Sequence, residues 1–237
     1  MQLAIKNLSV WGDSLFKGTI YDDEKGRHLQ LPDHSLHIVE QELQLPVNNH
    51  CIFGCTITRG RDKIIKELEK NKIEGTIIDA AIVEFGGNDC DYYWHEVSDK
   101  PDFDHQPKTP FEQFMQIYEE ILNLLLESNI KPILVSLQPL HAASYFRWIS
   151  RDLKPANILR WLGSVDRIYR QQERYSLAVT SLAYKYQCNY IDLRGAFLKY
   201  KNYHQFLCSD GIHPNQIGHQ LIAEQIIAYA KETGFAR

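Results

Sequence analysis

The sequence has no run that could cross a bilayer, no block of like charge and no internal repeat, and each absence removes a class of function. Without a long apolar segment, no transmembrane helix is expected. The 26 basic and 30 acidic residues leave a formal net charge of −4, and the basic ones are scattered, so the chain carries no electrostatic footprint for nucleic acid. No charged n-region, apolar core or small-residue cleavage site opens it. Met1-Gln2-Leu3-Ala4-Ile5-Lys6 leads straight into an apolar stretch, which makes the cytoplasm the expected compartment. Cysteine is sparse. Cys51, Cys55, Cys90, Cys188 and Cys208 are odd in number and irregularly spaced, as reduced thiols are and as a disulfide framework or zinc pattern is not. Ten histidines are present, yet no His-Glu-x-x-His or comparable ligand set occurs, so neither a metal nor another cofactor is expected.

What is present is an ordinary globular composition, 44% hydrophobic and 24% charged over 237 residues. That suffices for one substantial core and for one domain spanning 1–237. Five apolar stretches read as strands: 3–10, 47–51, 77–85, 131–137 and 189–193. Helices are predicted over 35–45, 59–72, 111–128 and 158–186, with a last one after Asn215. Alternation of this kind argues a parallel α/β sheet covered on both faces. Three connections are irregular. The polar stretch 21–32 is expected as a surface excursion. Segments 91–109 and 138–157 are expected as long active-site loops, whose Tyr92, Tyr93, Trp94, Tyr145, Phe146 and Trp148 either wall a pocket or pack on the sheet.

Four segments stand at strand ends or before the last helix: Gly12-Asp13-Ser14, Gly54, Gly86-Gly87-Asn88-Asp89 and Asp210-Gly211-Ile212-His213. Each alone is ordinary turn or capping chemistry. In a parallel sheet, however, the loops at the carboxyl ends of the strands open on one edge, so segments far apart in sequence can meet. A serine is a poor nucleophile without a base, a group that orients the base, and donors for an oxyanion. Ser14, His213 and Asp210 are residues of those types, and the spacing from Asp210 to His213 lets one turn bring both side chains together.

Together these segments resemble the blocks of the SGNH (GDSL-type) hydrolases. Gly12-Asp13-Ser14-Leu15 matches the first block, the stretch around Gly54 is similar to the second, Gly86-Gly87-Asn88-Asp89 matches the third, and Asp210-Gly211-Ile212-His213-Pro214 the last. One departure is that Cys51 and Cys55 stand where the second block commonly has Gly and Asp. The resemblance implies a three-layer α/β/α fold with a five-stranded parallel sheet in flavodoxin-like order, and a serine esterase. It implies Ser14 as nucleophile, His213 as base and Asp210 as the group orienting it. The oxyanion donors would be the backbone N–H groups of Ser14 and Gly54 and the side-chain amide of Asn88. Asp13 and Asp89 are expected to brace their loops; Asp13, with Tyr92 and Trp94, is also a candidate substrate contact.

The expected partner is a small-molecule carboxylic ester, short-acyl or O-acetyl, and the loop aromatics suit an acylated carbohydrate. Lipase, thioesterase and acyltransferase chemistry would use the same triad. Two readings come from other classes. A metal-dependent phosphoesterase would use Asp13, Asp89, Asp210 and His213, but no opening Asp-x-His ligand pair is present. A non-catalytic module binding acylated sugars could share the scaffold. The oligomeric state stays open, a homo-oligomer included.

Overall fold

The apolar start of the chain enters the central sheet as β1 (Leu8–Trp11), all four residues buried. The computed structural model describes residues 5–234; Leu3 and Ala4, expected in this strand, lie outside them. A short helix, α1 (Ser14–Lys17), follows at once. The stretch expected as a surface excursion is instead an antiparallel hairpin, β2 (Thr19–Asp22) and β3 (Arg27–Gln30). Then come α2 (Ser35–Leu43), β4 (Val47–Asn49), α3 (Ile57–Glu74) and β5 (Ala80–Val83). The remaining order is α4 (Trp94–Asp99), α5 (Phe111–Glu127), β6 (Lys131–Val135), α6 (Ala142–Ser150), α7 (Pro155–Leu162), α8 (Asp166–Lys185), β7 (Asn189–Ile191), α9 (Leu193–Leu198) and α10 (Gln216–Glu232).

The main sheet has five parallel strands in the order β4-β1-β5-β6-β7, which is the flavodoxin-like order. Side chains alternate between its faces with the period of two that a strand imposes. Val10, Ala80, Ile82 and Ile133 face one layer, where Leu36 and Val39 of α2, Phe197 of α9 and Ile222 and Ile226 of α10 cover them. Trp11, Ala81, Val83 and Leu134 face the other, under Ile64 of α3, Phe114, Ile121 and Leu122 of α5 and Val179 and Leu182 of α8. The register aligns Trp11 with Val83, so β1 and β5 release their following loops side by side at the carboxyl edge.

The two long connections differ from the expected loops. Segment 91–109 contains α4, and 138–157 contains α6 and the start of α7. Tyr92, Trp94, Val97, Leu140, Tyr145, Ile158, Leu162 and Ile168 form a third apolar cluster over that edge, and burying these side chains is what orders the segments. The single helix expected over 158–186 is two helices: Gly163, at φ 72°, caps α7 before α8 begins. No helix among the described residues is long and apolar enough to cross a membrane.

Candidate active site

Ser14 is the first residue of α1, placed where β1 leaves the sheet. Asp13 caps that helix, its Oδ1 accepting the Leu15 N–H at 2.9 Å, and this fixes the turn that presents the serine. Gly12 is required by proximity rather than by a left-handed backbone: a Cβ there would lie 2.9 Å from the Glu84 carbonyl oxygen at the end of β5. His213 arrives on the loop before α10, which is held closed by the Cys208 N–H donating to the His213 carbonyl at 2.8 Å and by a bridge between Leu207 and Pro214. His213 Nε2 stands 2.9 Å from Ser14 Oγ, and its Nδ1 stands 2.6 Å from Asp210 Oδ2. With Nδ1 donating to the carboxylate, Nε2 is left to accept the serine proton. Asp210 Oδ1 accepts the backbone N–H groups of Ile212 and His213, each at 3.1 Å. Burial works against the Asp210 charge, but the bond to His213, the charge of that ring and the two amides outweigh it and hold the carboxyl below its usual range.

Asn88 follows β5 and points its amide at the same turn, donating through Nδ2 to Asp13 Oδ2 at 2.7 Å. An amide nitrogen carries two hydrogens, so one remains. Gly54 lies on the cavity wall together with Ser14 and Asn88. Beneath them Glu84, 2% exposed, accepts the Asp13 N–H at 3.3 Å. Burial and the neighbouring Asp13 charge push the Glu84 carboxyl well above the ordinary range; burial raises Asp13 as well, against the Leu15 and Asn88 donors that favour its charge. Asp89 braces the loops from below, its Oδ1 accepting the Ile57 N–H at 2.9 Å and the Thr109 hydroxyl at 2.6 Å. This ties the start of α3 to the far end of segment 91–109.

Ser14 and His213 open on a cavity of about 220 Å³, whose walls include Phe53, Tyr92, Trp94, Leu140, Tyr145 and Trp148. Tyr92 and Trp94 reach it from within their own cluster, 6% and 8% exposed, and Trp94 is fixed by its Nε1–H donating to Asp91 Oδ1 at 2.8 Å. Trp148 carries the Arg151 guanidinium over its ring at 3.6 Å. The aromatic ring left open beside His213 is Phe53, 46% exposed and stacked on it at 5.9 Å.

Two groups of residues escape the sequence reading. His28 on β3 brings its Nε2 to 3.2 Å from Asp210 Oδ2. The signal that could have found it is the pair of short alternating stretches around the Lys25-Gly26 turn, which marks a hairpin. The second is a chain of buried polar groups behind the cavity. Arg194 Nη2 donates to Gln172 Oε1 at 2.7 Å, Gln172 Nε2 to the Gln138 carbonyl at 2.9 Å, and Gln138 Nε2 to the Ile212 carbonyl beside His213. Nothing in the sequence pattern marks Arg194 as buried.

The four residues of the phosphoesterase reading do not converge on one point. Asp13 spends both its oxygens on internal donors and Asp89 its Oδ1, and the one cluster of metal-type ligands among the described residues is His28, Asp210 and His213. Its donors suit hydrogen bonding better than one shared ion: His213 Nδ1 and Asp210 Oδ2 are 2.6 Å apart, whereas two ligands about 2.0–2.1 Å from a tetrahedral ion stand roughly 3.3 Å apart. The thiols near the site are poor nucleophiles, because burial raises Cys51 and Cys90 well above the ordinary range and Cys55 to about 11.

The chain is similar to known proteins in sequence pattern and in fold. The sequence pattern of the GDSL-like lipase/acylhydrolase family matches residues 10–221. Among solved structures, a lipase/acylhydrolase from Enterococcus faecalis superposes with a TM-score of 0.67 at 17% identity, covering 97% of each chain. An α/β hydrolase from the metagenome of Lake Arreo, Spain, gives 0.66 at 20% identity, covering 99% of this chain and 98% of its own. A catalytic mutant of an acetylxylan esterase from Geobacillus stearothermophilus gives 0.64 at 16%, covering 97% and 96%. No curated protein sequence matches the chain.

Proposed function

The chain belongs to the GDSL-like lipase/acylhydrolase family and is an ester-hydrolysing enzyme, and from that premise we propose that it is a metal-independent serine esterase acting on short-acyl or O-acetyl esters. The observation that carries this reading is the unbroken line from Ser14 Oγ through the His213 ring to Asp210 at the floor of a cavity. Ser14 Oγ attacks the ester carbonyl carbon while His213 Nε2 takes its proton. Asp210 holds the ring in the tautomer that can do so and stabilises the imidazolium. The carbonyl oxygen becomes an oxyanion that the N–H groups of Ser14 and Gly54 and the free amide hydrogen of Asn88 would hold. The bond to the alcohol then breaks, His213 returns the proton to the departing alkoxide, and an acyl-Ser14 ester remains. Water, deprotonated by His213, repeats the attack and releases the acid. We take 1–237 as one domain performing this reaction, with segments 91–109 and 138–157 walling the site.

A short acyl group accords with a cavity that is small beside the several hundred Å³ of drug-sized sites and is closed by Tyr92, Trp94 and Tyr145. A sugar alcohol accords with Phe53, whose open ring beside the base offers a stacking face. The test is hydrolysis of p-nitrophenyl esters from acetate to octanoate, with release of acetate from acetylated sugars followed in parallel. Turnover should be insensitive to chelator, fall with chain length, and drop by about 10⁴-fold or more in Ser14→Ala and His213→Ala while thermal unfolding stays near that of the wild type. Retained turnover in both variants sinks the reading. A wild type that neither turns over nor reacts with a fluorophosphonate would instead be the binding module.

A further inference from the structure

His28 reaches the Asp210 carboxylate from the β2–β3 hairpin. Its Nε2 lies 3.2 Å from Asp210 Oδ2, the same oxygen that takes His213 Nδ1, and the two imidazole rings meet edge-on with centroids 4.7 Å apart. The hairpin is held in this position from two sides. On one, the Tyr21 N–H donates to Cys208 Sγ at 3.4 Å and the Ser209 hydroxyl donates to Asp23. On the other, the Tyr21 and His28 rings pack against Trp148, with centroids 4.3 and 5.7 Å away. Asp210 therefore accepts backbone amides at Oδ1 and imidazoles at Oδ2, with no lone pair to spare. The charged and titratable groups facing His28 are Asp210 and His213 on the loop before α10, Arg151 after α6, and Tyr21 beside it on β2. Burial first, then the His213 charge, hold His28 below the ordinary imidazole range, against the pull of Asp210. At neutral pH the ring is uncharged and donates a single N–H.

We propose that His28 is a positioning residue for the ester hydrolysis: by donating to Asp210 Oδ2 it shares the carboxylate with His213, weakens the hold on the imidazolium, and so keeps His213 free to act as a base at lower pH. The inference rests on the reading of Ser14, His213 and Asp210 as a triad. A carboxylate oxygen that already accepts one N–H attracts a second positive group less strongly. Removing the competitor hands that oxygen to His213 alone, so the imidazolium persists to higher pH and the base is lost there.

The experiment compares His28→Phe, which keeps an aromatic ring but no donor, with His28→Gln, whose amide nitrogen can stand near the position of Nε2. The acidic limb of kcat/KM for p-nitrophenyl acetate should move up by roughly 0.5–1 pH unit in His28→Phe, a loss of about 3–10-fold on the limb that is recovered at higher pH. In His28→Gln the limb should return towards that of the wild type. A limb in His28→Phe that coincides with the wild type, a loss equal at every pH, or an equal shift in both variants overturns the inference. If His28→Phe does not fold, His28→Asn, whose amide falls short of Oδ2, replaces it. The His213 ring ¹⁵N signals, followed over the same pH range without substrate, separate the two ideas. A displaced titration in a protein that turns over no ester shows that His28 and His213 share Asp210 while the esterase reading fails, and with it the role in hydrolysis; an undisplaced one in an active enzyme overturns the inference and leaves the esterase reading standing.

Discussion

The middle of β5 and the loop that leaves it are equally buried and chemically opposite. Ile82 and Val83 are 1% and 0% exposed; Glu84 and Asp89, a few residues on, are 2% and 0%. The same holds for Val10 against Asp13 at the end of β1. In the strand, burial removes apolar surface from water and stabilises by roughly 25 cal/mol per Å². In the loop it removes carboxyl groups from water and costs free energy unless each is hydrogen-bonded or neutral. Asp13 is hydrogen-bonded at both oxygens, Glu84 is pushed towards its neutral form, and Asp89 is hydrogen-bonded at Oδ1 and raised as well. The difference teaches that the sheet supplies the stability and its carboxyl edge draws on it to hold polar groups in a fixed, nearly dry arrangement.

Breaking the polar half should cost activity. Asn88→Ala takes away the proposed oxyanion donor and the Asp13 Oδ2 partner together, and kcat should fall by about 10²–10³-fold with a much smaller change in KM, as steady-state kinetics on a p-nitrophenyl ester will read. Breaking the apolar half should cost stability instead. Ile82→Ala, in the central strand, should lower the unfolding free energy by about 2–5 kcal/mol in urea titration, while the molecules that remain folded keep their kcat. Asp89 sharpens the comparison, because burial raises its carboxyl to about 7 from the usual 3.8. A carboxyl raised on folding contributes stability that is fully present below pH 3.8 and is lost as pH rises towards 7, since the unfolded state releases its proton first. The wild type should therefore lose on the order of a few kcal/mol between about pH 4 and pH 7 from this group. Asp89→Asn should flatten that part of the curve; an unchanged slope in the variant would show that Asp89 is ionised throughout.

The residues of the polar half were legible unevenly. Ser14, Asp210 and His213 could be picked out because each follows or precedes a strong periodic element, so its place at the sheet edge followed from the pattern of its neighbours. Asn88 and Asp89 were legible for the same reason, coming directly after the apolar run of β5. His28 was not: the stretch around it is short and polar, and its partner Asp210 is nearly the whole chain away. Arg194 was missed because a charged side chain on a short helix reads as solvated, and what buries it is a set of partners on α8, Tyr169, Gln172 and Ser176. Segments 91–109 and 138–157 read as loops since Pro, Asp and His interrupt their periodicity, and their helices form around a shared apolar cluster.

By itself the sequence determined the alternation of strands and helices, the parallel sheet with both faces covered, and the few short segments able to carry chemistry, because these depend on local periodicity and on residue type. Tertiary structure alone decided that burial beside Asp13 raises the Glu84 carboxyl, that Tyr92 and Trp94 line the cavity from within a packed cluster, that Phe53 is the ring left open, and that two histidines divide one carboxylate. Those outcomes depend on desolvation and on distances between groups far apart along the chain, and neither quantity exists until the chain has folded.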